Sequence, residues 1–235
     1  MSEQKSDDGF ATRSSHMDGW APQHASLRET QKQLTRERLI TAGLAQFREI
    51  GYNQTTADAI AKAAGASRAT LYVYFKSKAE IVIEIMRRIE PEVLRAYSDL
   101  DSIRDPDLKS IEAWLATTME QWRDHRLEYA AMEQALASDD AVTDVWYGLL
   151  QTTWQHMPNL FNSLTDPADR EAAKLHLLTL QMALDRTLYF AIVRERPIDL
   201  ECLRTVAATQ WLDFLHRGRA ASATGTTPRA EKEYS

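Results

Sequence analysis

GYNQTTADAIAKAAGASRATLYVYFKSK, residues 51–78, sets two short helical signals on either side of a single glycine. Gly51 closes the helix that comes before it. Thr55, with Asp58 three residues on, reads as a capping box that opens a short helix at about Thr56. Ile60, Ala61 and Ala64 form the inward face of that helix. Gly65 stands where the chain must turn sharply, in the left-handed backbone that glycine adopts at little cost. Ser67 then caps a second short helix over about residues 68–74. Small side chains at Ala61 and Ala64 let the two helices cross closely, and Leu71, with Ala66, Tyr74 and Phe75, anchors the second into a core. Tyr72, Val73 and Lys76 cannot all turn inward together with Leu71 and Phe75. One face of the second helix is therefore left for another surface.

Two short helices, a glycine turn and a free second helix have the layout of a helix-turn-helix, whose second helix enters a DNA groove. The free face carries Arg68, Ala69, Tyr72 and Val73, with Thr70 near its first turn. Arginine and threonine suit base edges and phosphates, and a tyrosine hydroxyl suits a phosphate oxygen. Lys78 begins the next helix, where a cation opposes the helix dipole by roughly a few tenths of a kcal/mol or more. It needs another partner, and a phosphate is a natural one. The bland alternative, a tight helix pair inside a core, leaves the basic clustering, Gly65 and the aromatic pattern as coincidence.

A net charge of −6 argues against a nucleic-acid partner until its distribution is read. Residues 28–78 hold nine Lys/Arg against four Asp/Glu, whereas residues 79–217 hold fourteen against twenty-four. A compact basic module sits on a larger acidic body.

The 235 residues are 44% hydrophobic, enough to bury a sizeable core, and eight glycines with seven prolines favour helices over turn-rich β structure. Residues 1–27 and 218–235 are polar and without apolar period, so both ends are expected to lack fixed structure. Between them the apolar spacing is helical throughout. Helices are expected at 29–50, at the two short segments above, and at 78–97, where Pro91 should kink or break the run. More follow from Asp105-Pro106, over 126–138, 140–164 and 167–195, and at about 198–217, where Gly218 acts as a stop. About nine helices and no strand define an all-α fold. A single cysteine, Cys202, excludes an internal disulfide framework; with no cation beside it, it is expected to be buried rather than reactive. No apolar run approaches the roughly 18 residues of a membrane span, and the polar N-terminus is no secretory signal. A cytoplasmic protein with no membrane partner is expected.

TTADAIAKAAGASRATLYVYFKSKAEI, beginning at Thr55, resembles the DNA-binding signature of the TetR family of transcriptional regulators. The resemblance is sharpest in Leu-Tyr-x-(Tyr/His)-Phe-x-(Ser/Asn)-Lys, met here by Leu71 to Lys78, and it covers residues 36 to about 85. It implies an N-terminal three-helix helix-turn-helix domain over residues 28–78, followed over 79–217 by a helical ligand-binding and dimerisation domain. It further implies a homodimer through the helices at about 167–195 and 198–217, a double-stranded DNA operator and a small-molecule effector. Carried over residue by residue, DNA contacts fall on Thr56, Arg68, Ala69, Thr70, Tyr72, Tyr74 and Lys78. Val73 departs from the pattern, where an aromatic or polar residue is frequent, and suits a thymine methyl. Asp58 is better explained by capping than by contact.

In the body, Trp114, Tyr129, Trp146, Trp154 and Phe161 are the candidate walls of an apolar or aromatic effector pocket. At helical spacing, any one of them is more often core than ligand site. Asp185 and Arg186 interrupt the stripe of 167–195, as an interfacial pair, as exposed residues or as polar groups of a pocket. Leu188 is the position on that helix expected at the centre of the dimer. The six histidines show no metal spacing, and no cofactor motif is present. An all-α enzyme is the rival class, but no nucleophile elbow, P-loop, dinucleotide fingerprint or HExxH pattern occurs. A DNA-binding protein without an effector pocket is the other, and it would have a fully packed 110–190 region.

Overall fold

The computed structural model describes residues 21–224, with side-chain surroundings for residues 26–218. The expectation of unstructured ends lies outside the described residues at 1–20 and 225–235. The chain divides into two units, one ending at Glu37 and the other beginning at Arg38. In the first, α1 (Ala21–Ile50) has already started, so residues 21–27 are helical rather than unstructured. Its threonine hydroxyls bond back one turn, Thr30 to the Ser26 carbonyl at 2.7 Å and Thr35 to that of Gln31 at 2.9 Å.

The second unit holds the rest of α1 and nine further helices. These are α2 (Ala57–Ala63), α3 (Arg68–Tyr74), α4 (Lys78–Ser102), α5 (Leu108–Asp124), α6 (Arg126–Leu136), α7 (Asp140–Thr152), α8 (Pro158–Phe161), α9 (Pro167–Leu188) and α10 (Leu200–Thr224). No strand occurs among the described residues, and the fold is all-α.

The central element is α4. Ile81, Val82, Ile85, Met86 and Ile89, then Tyr97 and Leu100, recur at helical spacing and are buried. The helix packs against α5, α6, α7 and α8. The expected break at Pro91 is absent. The ring lies on the exposed side, where the carbonyl that a proline leaves unpaired is not shut away from solvent. At Gly43 of α1, an added Cβ would stand 3.1 Å from Ile81 Cγ2, so the glycine lets α1 lie close against α4.

The stretch 140–164 is not one helix. α7 tightens into a 3₁₀ turn (Thr153–His156), and α8 restarts with Pro158 in its first turn. Thr152 and Thr153 bond their hydroxyls back to the carbonyls of Gly148 and Leu149, which weakens the helical ladder there. Buried Asp101, from α4, accepts the backbone N–H groups of Asn159 at 2.7 Å and Leu160 at 2.9 Å and so caps α8.

Near the C-terminus, α9 ends in a single π turn (Tyr189–Val193), and Glu195 takes a left-handed backbone. Gly218 does not stop α10. A Cβ there would collide with Leu160, so the glycine serves close packing of α10 on α8. Leu188 is wholly buried within the single chain and Cys202 is exposed, both contrary to expectation.

Candidate nucleic-acid interface and the cavity behind it

Local signals build α2 and α3 nearly as the sequence implies. Thr56, not Thr55, is the N-cap of α2, and its hydroxyl accepts the Ala59 N–H at 3.1 Å. Thr55 is buried and donates its hydroxyl to the Gly51 carbonyl at 2.8 Å. Ser67 caps α3 by accepting the Thr70 N–H at 3.0 Å. Between the helices Gly65 has φ +63°, the left-handed turn that only glycine takes without strain. From α1, Arg38 donates to the carbonyls of Ala64 and Gly65, which holds the turn. Leu71 and Phe75 are buried, and they fix α3 by one face.

The opposite face of α3 is open. Arg68, Ala69, Tyr72 and Val73 are all exposed, Val73 at 78% and Tyr72 at 43%. Thr56 is exposed beside them, whereas Thr70 and Tyr74 are half-buried, Tyr74 lying against the core. Asp58 does not cap. Its carboxylate accepts Arg68 at 2.8 Å, and the guanidinium lies 5.5 Å from the centre of the Tyr72 ring. The Tyr72 hydroxyl and then the Asp58 charge hold Arg68 above the usual arginine range.

Lys78 has a partner within the chain. Its ammonium donates to the carbonyls of Tyr52 at 2.6 Å, Thr55 at 3.1 Å and Asn53 at 3.3 Å, and it lies 4.3 Å from the centre of the Tyr52 ring. Burial lowers its pKa. Lys78 thus ties α4 to the loop that leads into α2. Tyr52 is the second tie. Its N–H donates to Gln134 Oε1 of α6 at 2.8 Å, and its hydroxyl donates to Asp139, the N-cap of α7, at 3.1 Å. Burial, then the Asp139 charge, raises the Tyr52 hydroxyl above the tyrosine range.

Behind these ties lies a cavity of about 60 Å³ among α4, α5, α6, α7 and α9. Three of the five candidate ligand-binding aromatics line it: Trp114, Tyr129 and Trp146. Tyr97 and Trp122 join them, with Trp122 stacked on Tyr129 at 3.9 Å. Trp154 and Phe161 lie elsewhere. They pack on each other at 5.8 Å, and Lys174 lies 4.2 Å from the centre of the Trp154 ring. Gln181 and Asp185, one helical turn apart on α9, complete the lining. Burial pushes the Asp185 carboxyl up to about 7, Glu133 adds to the rise, and Arg186 opposes it. Arg186 itself is exposed and bonds Glu133 at 2.8 Å. Gln181 carried no signal in the apolar stripe except its four-residue distance from Asp185. The 110–190 region is therefore not fully packed.

The family model described as bacterial regulatory proteins, tetR family, matches residues 39–85, which run from within α1 through the start of α4. The HTH-type transcriptional regulator EthR of Mycolicibacterium smegmatis is 28% identical over 157 residues, covering 62% of this chain and 69% of that protein. Among solved structures, the fatty acid degradation regulator FadR from Bacillus halodurans superposes with a TM-score of 0.56 at 16% identity. The superposition covers 76% of this chain and 94% of the other. SmeT, the repressor of the Stenotrophomonas maltophilia multidrug efflux pump SmeDEF, gives 0.50 at 22% identity, covering 79% and 89%. The two structures share the fold.

Proposed function

Since the chain belongs to the TetR family of transcriptional regulators, we propose that it is a repressor that binds a palindromic operator as a homodimer and is released by a mainly apolar or aromatic small molecule. In this reading residues 28–78 bind DNA in the cytoplasm, and residues 79–217 bind the effector and dimerise. Arg68, Ala69, Tyr72 and Val73 enter the major groove, with Thr56, Thr70 and Tyr74 at its edge. The exposed apolar side chains Leu175 and Met182 of α9 and Val206 of α10 support a second copy of the chain as the partner that covers this face.

The observation that carries the reading is a shared wall. Met86, Ile89, Val93 and Tyr97 of α4 line the cavity, while Lys78, in the first turn of the same helix, holds the loop entering α2. α6 repeats the arrangement, lining the cavity with Tyr129 and Met132 and holding Tyr52 through Gln134. A cavity of about 150 Å³ holds one benzene, so an aromatic effector must enlarge this one and push α4 and α6 outward. Both helices would carry that displacement to the recognition helices, which in a dimer must lie about 34–36 Å apart, or a multiple of it. Differential affinity of the effector for the two spacings makes the switch.

Selection of binding sites from a random duplex pool tests the reading. Enrichment of an inverted repeat with half-sites separated by whole helical turns is expected. Enrichment of a site without two-fold symmetry would overturn the dimer, and no enrichment at all would overturn the DNA-binding role.

A further inference from the structure

We infer that the cavity selects an aromatic or apolar compound carrying a basic nitrogen, with Asp185 receiving the cation and Gln181 a neighbouring polar group. The inference rests on the cavity being the effector site. Gln181 is 1% exposed, and neither its amide nitrogen nor its amide oxygen has a hydrogen-bond partner among the described residues. The amide lies near the Tyr97 hydroxyl without reaching hydrogen-bond geometry. An orphaned buried amide is costly to leave unmade, and this one lines a cavity. One turn further along α9, the Asp185 carboxyl lines the same cavity and has no hydrogen bond or ion pair to its side chain among the described residues. A buried amide without a partner and a half-buried acid share one wall. A ligand that meets both has a donor cation and a second polar atom.

Charge and ring chemistry narrow the class. The charged residues lining the cavity are Asp185 and Glu90, and no Lys, Arg or His is among the described residues that line it. The nearest cation, Arg186, is engaged by Glu133, which itself lies close enough to raise Asp185. An anionic ligand would meet only like charge, whereas a cation would neutralise the excess. The remaining walls include the rings of Tyr97, Trp114, Trp122, Tyr129 and Trp146, whose faces attract a cation as well as an apolar body. A long-chain carboxylate, suited to the apolar walls, would meet the ionised form of Asp185 as a like charge.

The test uses the full-length protein and three probes of one skeleton: 4-phenylbutylamine, 4-phenylbutanol and 4-phenylbutyrate. Binding is read by tryptophan fluorescence and calorimetry at pH 8. The amine is expected to bind at least about tenfold more tightly than the alcohol, because a charge-assisted bond is about twice as strong as a neutral one, and the acid least of all. Asp185→Asn should remove the preference for the amine over the alcohol, with helicity by circular dichroism showing that the variant is folded. With the carboxyl titrating at about 7, the amine's affinity should drop about tenfold from pH 8 to pH 6, as the carboxylate is protonated. The other titratable groups near Asp185 are Glu90, Glu133 with Arg186, Tyr97 and Tyr129, of which burial keeps both phenols neutral across that range. A flat profile in Asp185→Asn assigns the dependence to Asp185. Equal binding of amine and alcohol, or tighter binding of the acid, overturns the charge assignment and leaves the cavity as a site. If none of the three binds at millimolar concentration, both the ligand class and the cavity as effector site fall.

Discussion

Lys78 separates a structural role from a DNA-contact role by magnitude. Its ammonium donates to three backbone carbonyls, and the bonds to Tyr52 and Thr55 are partly buried. Hydrogen bonds to a charged group contribute about 1.5–3 kcal/mol each. The exposed bond to Asn53 competes with water and adds little. Ordering a lysine side chain costs about 1–2 kcal/mol. Lys78→Ala should therefore cost about 2–4 kcal/mol of unfolding free energy. Lys78→Met, which keeps the stem over the Tyr52 ring, should lose most of that. Urea unfolding followed by circular dichroism measures the loss as a lowered midpoint. The slope of log affinity against log salt, measured on a selected operator, should equal the wild-type slope. A phosphate contact predicts the opposite pair: an unchanged midpoint with a salt slope reduced by about one. That pair of results would refute the structural assignment.

Arg68→Ala should weaken operator binding by about 1–3 kcal/mol while moving the unfolding midpoint little, because the side chain is 61% exposed; normal binding in a gel shift would sink its groove-facing role. The double substitution Leu175→Asp with Met182→Asp should give monomers by light scattering with helicity intact, since both side chains are exposed in the protomer, and a persisting dimer would place the interface elsewhere. Asp185→Asn should raise stability at pH 8. The folded pKa of about 7 stands above the ordinary 3.8, so the native state holds the extra proton between those values and loses stability as pH rises through them. Removing the charge should restore on the order of 2–4 kcal/mol above pH 7 and little below pH 4. Equal stability of the two proteins at both pH values would show the carboxylate to be well solvated.

What the sequence displays and what it hides divide by distance along the chain. The helix-turn-helix is legible because its determinants are neighbours: Gly65, Ser67 and Leu71 act on backbone within a few residues of themselves. The partners of Lys78 lie 23 to 26 residues away, so its position at a helix start drew a phosphate reading that the fold does not require. Asp58 went the same way, since an acid three residues after a threonine resembles a cap until Arg68, ten residues on, is seen beside it. The break in 140–164 had a local signal in Pro158, outweighed by an apolar period that continued across it. That break bears on the site, because beyond it Trp154 packs on Phe161 and under Lys174, and neither ring lines the cavity that Trp146 lines. Periodicity records that a side chain is inside and is silent on whether it meets another side chain or a void. The polar pair Gln181 and Asp185 carries the complementary information: inward polar groups one turn apart on an otherwise apolar face have no reason to be there unless something polar meets them.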